Sequence, residues 1–164
     1  AVPAAIAEQA VQITTAILEE LRYVGVLCVE FFVSTDGVLM VNELAPRPHN
    51  SGHLTIDASA TSQFEQQVRA LCGQGLGDTS LTTPGAATVT LTGETWEHGE
   101  PMWHGLFGST AAHLHLYGKA EPLPGLTMGH ISVGSDTALG ATNLARRLRK
   151  LVKIDSPPVD RPTA

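Results

Sequence analysis

Apolar residues recur every three or four positions along the first part of the chain. This spacing places them on one face of a helix with about 3.6 residues per turn, while the other faces are polar. The pattern therefore predicts an amphipathic helix from Pro3 to about Arg22. Its apolar face consists of Ile6, Ala10, Ile13, Ile17 and Leu21.

Two strand-like runs follow, VGVLCVEFFV and VLMVNEL, with STDG between them. Asp-Gly between two runs of β-branched and aromatic residues is typical of a β-hairpin. A two-residue turn at Asp36 and Gly37 would place Glu30 directly opposite Glu43, and a four-residue STDG loop would make them diagonal neighbours. Either even-length loop puts both carboxylates on one face, whereas an odd loop would separate them.

The pattern then returns to a helix that stops at glycines. Ser62 and Glu65 form a capping box, which predicts a helix ending near Cys72. The stretch CGQGLGD follows this helix, whereas a dinucleotide-binding loop follows a strand. We therefore interpret it as a helix stop and a linker.

From Ala86 onward the chain becomes rich in short β-like runs separated by glycine and proline turns. Strands are predicted at ATVTLTG, HLHLYGK and MGHISVG. A last helix, from about Asp136 to Val152, is predicted to pack through Leu144, Leu148 and Leu151.

These elements predict an α+β fold in two parts. Residues 1–75 form a helix, hairpin and helix, 76–85 a linker, and 86–153 a small β-rich module with a terminal helix. We expect the tail, 154–164, to be disordered. Because the chain starts without methionine at the edge of a helix, we interpret it as a piece of a larger protein.

Composition and charge narrow the class of protein. Of the 164 residues, 43% are apolar and 16% are charged, as in a globular domain. The formal net charge of −6 argues against a nucleic-acid partner, which would need clustered Lys and Arg. No apolar run approaches the roughly 18 residues of a membrane span. Because Cys28 and Cys72 make no disulfide framework, we expect a reducing, cytoplasmic setting.

The first candidate chemistry lies on the hairpin. Glu30 and Glu43 each sit in an apolar strand, and two like charges that face each other across a ladder are destabilising. A divalent cation such as Mg²⁺, which prefers carboxylate oxygens, would compensate them. The alternatives are a solvated edge position, a shared proton or a nearby arginine.

The second candidate is the loop after the hairpin, which runs from Arg47 to His53 and reads RPHNSGH. It offers a planar cation, two imidazoles, an amide and a hydroxyl, and Pro46 and Pro48 stiffen it. Arg47 suits bidentate recognition of a carboxylate, carbonate or phosphate. An ordinary polar loop is the alternative interpretation.

At this point the chain resembles a known family. VEFFVSTDGVLMVNELAPRPHNSGHLTIDASATSQFEQQVRAL closely resembles the end of the ATP-grasp domain of the N5-carboxyaminoimidazole ribonucleotide synthetase family. NELAPRPHNSGH followed by SQFEQ is specific to that family, whereas paired glutamates alone would indicate only some ATP-grasp ligase. The resemblance covers about residues 1–155, which correspond to the family's C-terminal portion.

The resemblance implies an enzyme of purine biosynthesis. It would ligate bicarbonate to the exocyclic amine of 5-aminoimidazole ribonucleotide, through carboxyphosphate, while ATP is cleaved to ADP and phosphate. It also implies Mg²⁺ as cofactor and a homodimer. The implied metal ligands are Glu30 and Glu43, the ATP-binding residues Asn42 and Glu43, the catalytic residues Arg47 and His49, and the substrate-binding residues Arg47, His49, Asn50, Ser51 and Lys119.

The chain departs from the family in the stretch YGKAEPLPGLTMGH. The family carries Tyr-x-Lys and then Arg-Pro-Gly-Arg-Lys-x-Gly-His, which supplies cations to the substrate phosphate. Leu123, Leu126 and Thr127 stand where basic residues are expected, while Tyr117, Lys119, Gly129 and His130 match. Sequence drift, compensation from the missing N-terminal half and a related substrate are the competing explanations.

Two alternatives to this function stay open: another ATP-grasp carboxylate or bicarbonate ligase, and a non-catalytic remnant acting as an interaction module. Because the ATP-binding N-terminal lobe is not in the sequence, we expect the fragment alone to be inactive. His113 and His115, with His130 or His104, could form a metal site. No carboxylate or thiol spacing completes it, so strand packing is preferred. RRLRK, at 146–150, is interpreted as a solvated helix end.

Overall fold

A computed structural model describes residues 2–153, and this part of the chain divides into two compact units. The first unit comprises 2–53 and 61–79, and the second comprises 54–60 and 80–153. The predicted tail lies outside the described residues. Within them, no helix combines the length and the apolar character that a bilayer span requires.

The order of elements confirms the predicted α+β class. The helices are α1 (Ala4–Leu21), α2 (Thr55–Ala58), α3 (Gln63–Leu71), α4 (His104–Phe107) and α5 (Ala138–Lys153), and the strands are β1 (Cys28–Val33), β2 (Leu39–Ala45), β3 (Gly85–Thr92), β4 (Ala112–Leu116) and β5 (Thr127–Ser135). Two 3₁₀ turns, Asn50–Gly52 and Gly93–Trp96, complete the described elements.

The first unit is built on the β1–β2 hairpin. The strands pair antiparallel, and Val33 pairs with Leu39, so the connecting loop holds the five residues 34–38. The expectation of an even-length loop was therefore wrong. A β-bulge between Glu30 and Phe31 shifts the register by one residue and restores the pairing of Glu30 with Glu43.

The predicted start of α3 is confirmed. The backbone N–H of Glu65 donates to the Ser62 hydroxyl at 3.2 Å, which caps the helix. The helix ends at Leu71, and the glycine-rich stretch follows as predicted. The buried Gln66 side chain donates to the Gly77 carbonyl at 2.7 Å and accepts from the Gly77 N–H at 3.0 Å, so that stretch is tied back to the helix.

Large apolar side chains of the first unit remain exposed. On the hairpin, Phe32 is 59% exposed and Met40 is 47% exposed. Among 2–53 and 61–79, only Thr61 and Gln66 are buried. Burial of apolar surface is the main favourable term in folding, so an exposed apolar face of this kind is a distinct feature of the unit.

The second unit is a three-stranded antiparallel sheet with the order β3-β5-β4. One face packs against α5 and forms the core. The helix buries Leu148 and Val152, whereas Leu151, which the spacing also assigned to the core, is 38% exposed. The core side chains are Leu91, Leu106, Ile131, Val133, Ala141, Ala145, Leu148 and Val152.

The opposite face of this sheet is polar and packs near α2. Side chains alternate along β5, so His130 and Ser132 point away from Ile131 and Val133. Both polar residues are nevertheless buried, with 2% and 1% of their surfaces exposed. The segment 54–60 is joined to the rest of the unit by an isolated β-bridge between Ser59 and Leu81.

Candidate functional site

The first unit brings the two hairpin carboxylates together. Glu30 and Glu43 are direct cross-strand partners, with the extra residue Asn42 inserted beside them on β2. Glu43 and Asn42 are exposed, and the Glu30 side chain is 38% exposed. The pair can therefore offer carboxylate oxygens to a cation from solvent, and oxygen ligands of this kind fit Mg²⁺.

His49 joins this pair from the loop after β2. Its Nδ1 lies 3.6 Å from Glu30 Oε1 and 3.0 Å from the Ser51 hydroxyl. The His49 side chain is only 13% exposed, so the ring is held beside the carboxylate rather than extended into solvent. The structure thus places an imidazole and a carboxylate within reach of one ligand.

Cys28 is a further member of this cluster that the sequence did not single out. One ligand atom each from Cys28, Glu30 and His49 lie within 4.8 Å of one another. The Cys28 sulfur is 3.6 Å from the Ser51 hydroxyl oxygen. The alternation of side chains along a strand could have predicted this position, because Cys28 and Glu30 are two residues apart on β1 and therefore share a face.

Gln63 fixes the backbone of the loop, and the sequence analysis missed this role. Its Oε1 accepts from the His49 N–H at 2.9 Å, and its Nε2 donates to the His49 carbonyl at 2.7 Å. A Cβ at Gly52 would lie 2.4 Å from Gln63 Oε1, so the glycine leaves room for this clamp. Gln63 belongs to the SQFEQ motif and is the first residue of α3. Nothing in that local pattern predicts a contact between Gln63 and His49.

Arg47, Asn50 and Ser51 lie on the same loop and are exposed. The Arg47 guanidinium donates to the carbonyl of its neighbour Pro48 at 3.0 Å. This contact stays within the loop, so the side chain can be recruited by a ligand at small cost. Lys119 is exposed in the second unit, after β4, beside a cavity of about 370 Å³ that Trp96 also lines.

The stretch that departs from the family forms a compact turn between β4 and β5. Leu123 is 55% exposed, and its carbonyl accepts from the Leu126 N–H at 3.0 Å. The Gly125 N–H donates to a carboxylate oxygen of Glu94 at 2.9 Å. These contacts give the turn a folding role that does not need basic side chains.

The histidines of β4 and β5 meet a carboxylate that the sequence analysis did not foresee. Asp57 on α2 lies 2.8 Å from His115 and 3.7 Å from His113, between its carboxylate oxygens and a ring nitrogen of each. His115 also stacks on His130, with ring centroids 4.4 Å apart. The expectation that no carboxylate completes this set was therefore wrong.

Two family models match successive parts of the chain. Residues 1–64 match the model of the ATP-grasp domain family, and 86–143 match that of the phosphoribosylaminoimidazole carboxylase C-terminal domain. The N5-carboxyaminoimidazole ribonucleotide synthase of Mycobacterium tuberculosis is 46% identical over 143 residues, which are 84% of this chain and 33% of that protein. The chain thus spans about a third of the length of the curated relatives it matches.

Solved structures agree in fold. The N5-carboxyaminoimidazole ribonucleotide synthetase of Thermotoga maritima has a TM-score of 0.83 at 39% identity, covering 92% of this chain and 42% of that one. The Aspergillus clavatus enzyme is similar in its complex with ATP, with a TM-score of 0.79 at 30% identity, covering 92% and 40%. Its complex with ADP and 5-aminoimidazole ribonucleotide gives 0.66 at 32% identity, covering 78% and 35%.

Proposed function

Because the chain belongs to the N5-carboxyaminoimidazole ribonucleotide synthase family, we propose that it supplies the metal-binding and substrate-binding part of an ATP-dependent carboxylase. In the overall reaction, bicarbonate, ATP and 5-aminoimidazole ribonucleotide give N5-carboxyaminoimidazole ribonucleotide, ADP and phosphate. The observation that carries the proposal is the direct pairing of Glu30 with Glu43, with His49 held beside Glu30.

In this proposal the hairpin holds the nucleotide end of the site. Glu30 and Glu43 are the metal ligands, and Asn42, which the bulge inserts beside Glu43, belongs to the ATP site. When bound, Mg²⁺ would neutralise the charge of the ATP phosphates. The donor set fits this ion, since it consists of carboxylates that solvent can reach.

The loop after β2 holds the reacting groups. Arg47 would stabilise the negative charge of carboxyphosphate, because phosphoryl transfer depends mainly on positioning and electrostatics. His49 would orient the substrate or transfer a proton, and its backbone is already fixed by Gln63. Asn50 and Ser51 would bind bicarbonate or the imidazole.

Lys119 is the proposed contact of this chain to the ribonucleotide phosphate. It is the single Lys or Arg between Arg69 and Arg146, so this module offers that phosphate few cations. The remaining charge would come from the part of the enzyme that precedes these residues in the relatives. That part would also cover the exposed apolar face of the hairpin and complete the ATP site, so we expect the chain alone to be inactive.

A chimera tests this function directly. The chain replaces the matching third of the mycobacterial relative, and formation of ADP is measured with and without 5-aminoimidazole ribonucleotide and bicarbonate. We expect ADP formation that requires both substrates, together with formation of the carboxylated product. A chimera that folds and binds ATP, yet forms no product, would contradict the proposal.

The same assay separates the two alternative functions. Leu123, Leu126 and Thr127 replace basic residues of the family pattern and favour a changed acceptor or a lost activity. ATP turnover that depends on a different carboxylate or amine would identify another ATP-grasp ligase. Absence of turnover with every acceptor would identify a non-catalytic module.

Assembly and location belong to the same proposal. The family resemblance implies a homodimer, which light scattering of the purified chimera would measure. Cys28 and Cys72 are both free thiols, in keeping with a reducing cytoplasm, where purine synthesis would take place.

A further inference from the structure

A cluster of potential metal ligands lies on the polar face of the second unit and includes none of the residues of the proposed active site. Asp57, His115 and His130 each place one ligand atom within 4.8 Å of the others. Three elements supply them: α2, β4 and β5. His115 and His130 are direct cross-strand partners, so the ladder itself fixes their rings side by side.

The chemistry of this Asp57–His115–His130 cluster is that of a transition-metal site. Two imidazole nitrogens and one carboxylate suit Zn²⁺ and related divalent ions, whereas Mg²⁺ prefers oxygen ligands alone. Asp57 Oδ2 and His115 Nε2 lie 2.8 Å apart in a hydrogen bond, so an ion that binds both would take the place of the proton they share. His113, with Nδ1 3.7 Å from Asp57 Oδ1, lies beside them as a further imidazole.

Burial limits how far these donors can move. The side chain of Asp57 is 13% exposed and that of His115 is 29% exposed, while His130 is 2% exposed as a residue. A cavity of about 180 Å³ is lined by Asp57 and His113. The donors are thus held in place, and the cavity reaches one of them, Asp57.

Tyr117 supplies the outer contact that metal-binding histidines commonly have. Its hydroxyl lies 2.8 Å from His130 Nδ1. In a metal site this contact would hold Nδ1 and assign coordination to Nε2, because a ligating histidine usually bonds an oxygen through its other nitrogen.

We propose that Asp57, His115 and His130 bind one divalent transition-metal ion of the Zn²⁺ type. The ion tethers α2 to β4 and β5, and so fixes the segment 54–60, which the Ser59–Leu81 bridge joins to the unit at its far end. The three ligands are not among the proposed metal, ATP-binding and substrate-binding residues of the carboxylase. Neither Glu30 nor Glu43 takes part in this site.

Zinc titration of the full 164-residue chain tests the proposal. The chain carries Cys28→Ser, Cys72→Ser and Glu30→Gln, which remove the thiols and the Cys28–Glu30–His49 cluster as competing sites. Calorimetry should show that one Zn²⁺ binds per chain. Mg²⁺ should not bind at the site that Zn²⁺ occupies. Binding should raise the midpoint of thermal unfolding.

Variants assign that binding to the cluster. In the same background, His115→Gln should abolish the high-affinity event, and Tyr117→Phe should weaken it by about 10- to 100-fold. The matched control is His104→Gln, an exposed histidine of the same unit, which should bind like the parent. Co²⁺ should show visible absorption bands that His115→Gln removes.

Two results would overturn the proposal. One is a parent chain that binds no Zn²⁺ at micromolar concentration. The other is a His115→Gln chain that is folded by circular dichroism and binds Zn²⁺ as tightly as the parent. Tyr117→Phe keeps all three ligands, so it tests the site even if loss of a ligand impairs folding.

Discussion

Glu30 on β1 lies directly opposite Glu43 on β2, and the bulge at Asn42 brings the two carboxylates into register. Without the extra residue, the five-residue loop would leave them out of register. The bulge therefore determines that the two glutamates face each other. It also places Asn42 beside the carboxylates, at a point where the regular ladder is interrupted.

The two hydrogen bonds between Gln63 and the His49 backbone should stabilise the loop after β2 more than they stabilise the rest of the chain. Gln63→Ala removes both hydrogen bonds to the His49 backbone, a loss of about 1–3 kcal/mol for two partly buried bonds. Hydrogen exchange should show the His49 amide opening about 5- to 100-fold more readily. Gln74→Ala is the control, since its side chain donates to the Cys72 carbonyl on an exposed segment. Equal exchange in both variants would contradict the clamp.

Gly52→Ala should be destabilising because of the same clamp. The new methyl group would lie 2.4 Å from Gln63 Oε1, and moving that flexible side chain breaks its bonds to His49. We expect a cost of about 1–3 kcal/mol in urea unfolding followed by circular dichroism.

A double-mutant cycle isolates this cause. In the Gln63→Ala background, Gly52→Ala should cost less than about 0.5 kcal/mol, so the two changes are non-additive. Gly75→Ala, which meets nothing within 4 Å, is the matched control. Additive costs would mean that Gly52 is required for another reason.

Replacing Arg47 should lower activity without lowering the stability of the fold. The Arg47 guanidinium donates to the neighbouring Pro48 carbonyl and lies on an exposed part of the loop, so Arg47→Ala should change stability by less than about 0.5 kcal/mol. In the chimera, the same change should lower kcat by about 100-fold or more if the guanidinium stabilises carboxyphosphate. Arg147→Ala, on the exposed side of α5, is the control for lost charge. A chimera with Arg47→Ala and full kcat would exclude this role.

The buried face of α5 gives a stability prediction for the second unit. Leu148 is 2% exposed, so Leu148→Ala should cost about 2–5 kcal/mol, whereas Leu151→Ala, at a 38% exposed position, should cost clearly less. Trp96 and Trp103 pack against this core, so tryptophan fluorescence during urea unfolding reports both variants. Equal losses of stability in the two variants would contradict the observed orientation of α5, in which Leu148 faces the core and Leu151 is partly exposed.

Sequence patterns predicted the elements and the pairing of the two glutamates because these depend on local spacing. Helix α1, the hairpin and the Ser62 cap follow from periodicity and turn residues. The bulge was not predicted, since an extra residue in a strand leaves no mark on an apolar run. The pairing of Glu30 with Glu43 was therefore predicted correctly from an incorrect loop length.

Contacts between segments that are far apart in the chain could not be predicted from local sequence patterns. Asp57 precedes His115 by 58 residues, and nothing in TIDA indicates that its carboxylate meets a strand of the later sheet. Gln63 looked like an ordinary helix-start residue for the same reason. Leu151 was misassigned because two adjacent apolar residues end α5, and tertiary packing selects Val152.

The central claim is that Glu30 and Glu43 together hold the metal that ATP turnover requires. The most direct measurement is the Mg²⁺ dependence of ADP formation by the chimera carrying Glu43→Gln, compared with Glu8→Gln on exposed α1. We predict that Glu43→Gln lowers turnover by about 100-fold or more at saturating substrates with little loss of folding, and that Glu8→Gln matches the parent. Unchanged turnover and Mg²⁺ dependence in Glu43→Gln would contradict the account.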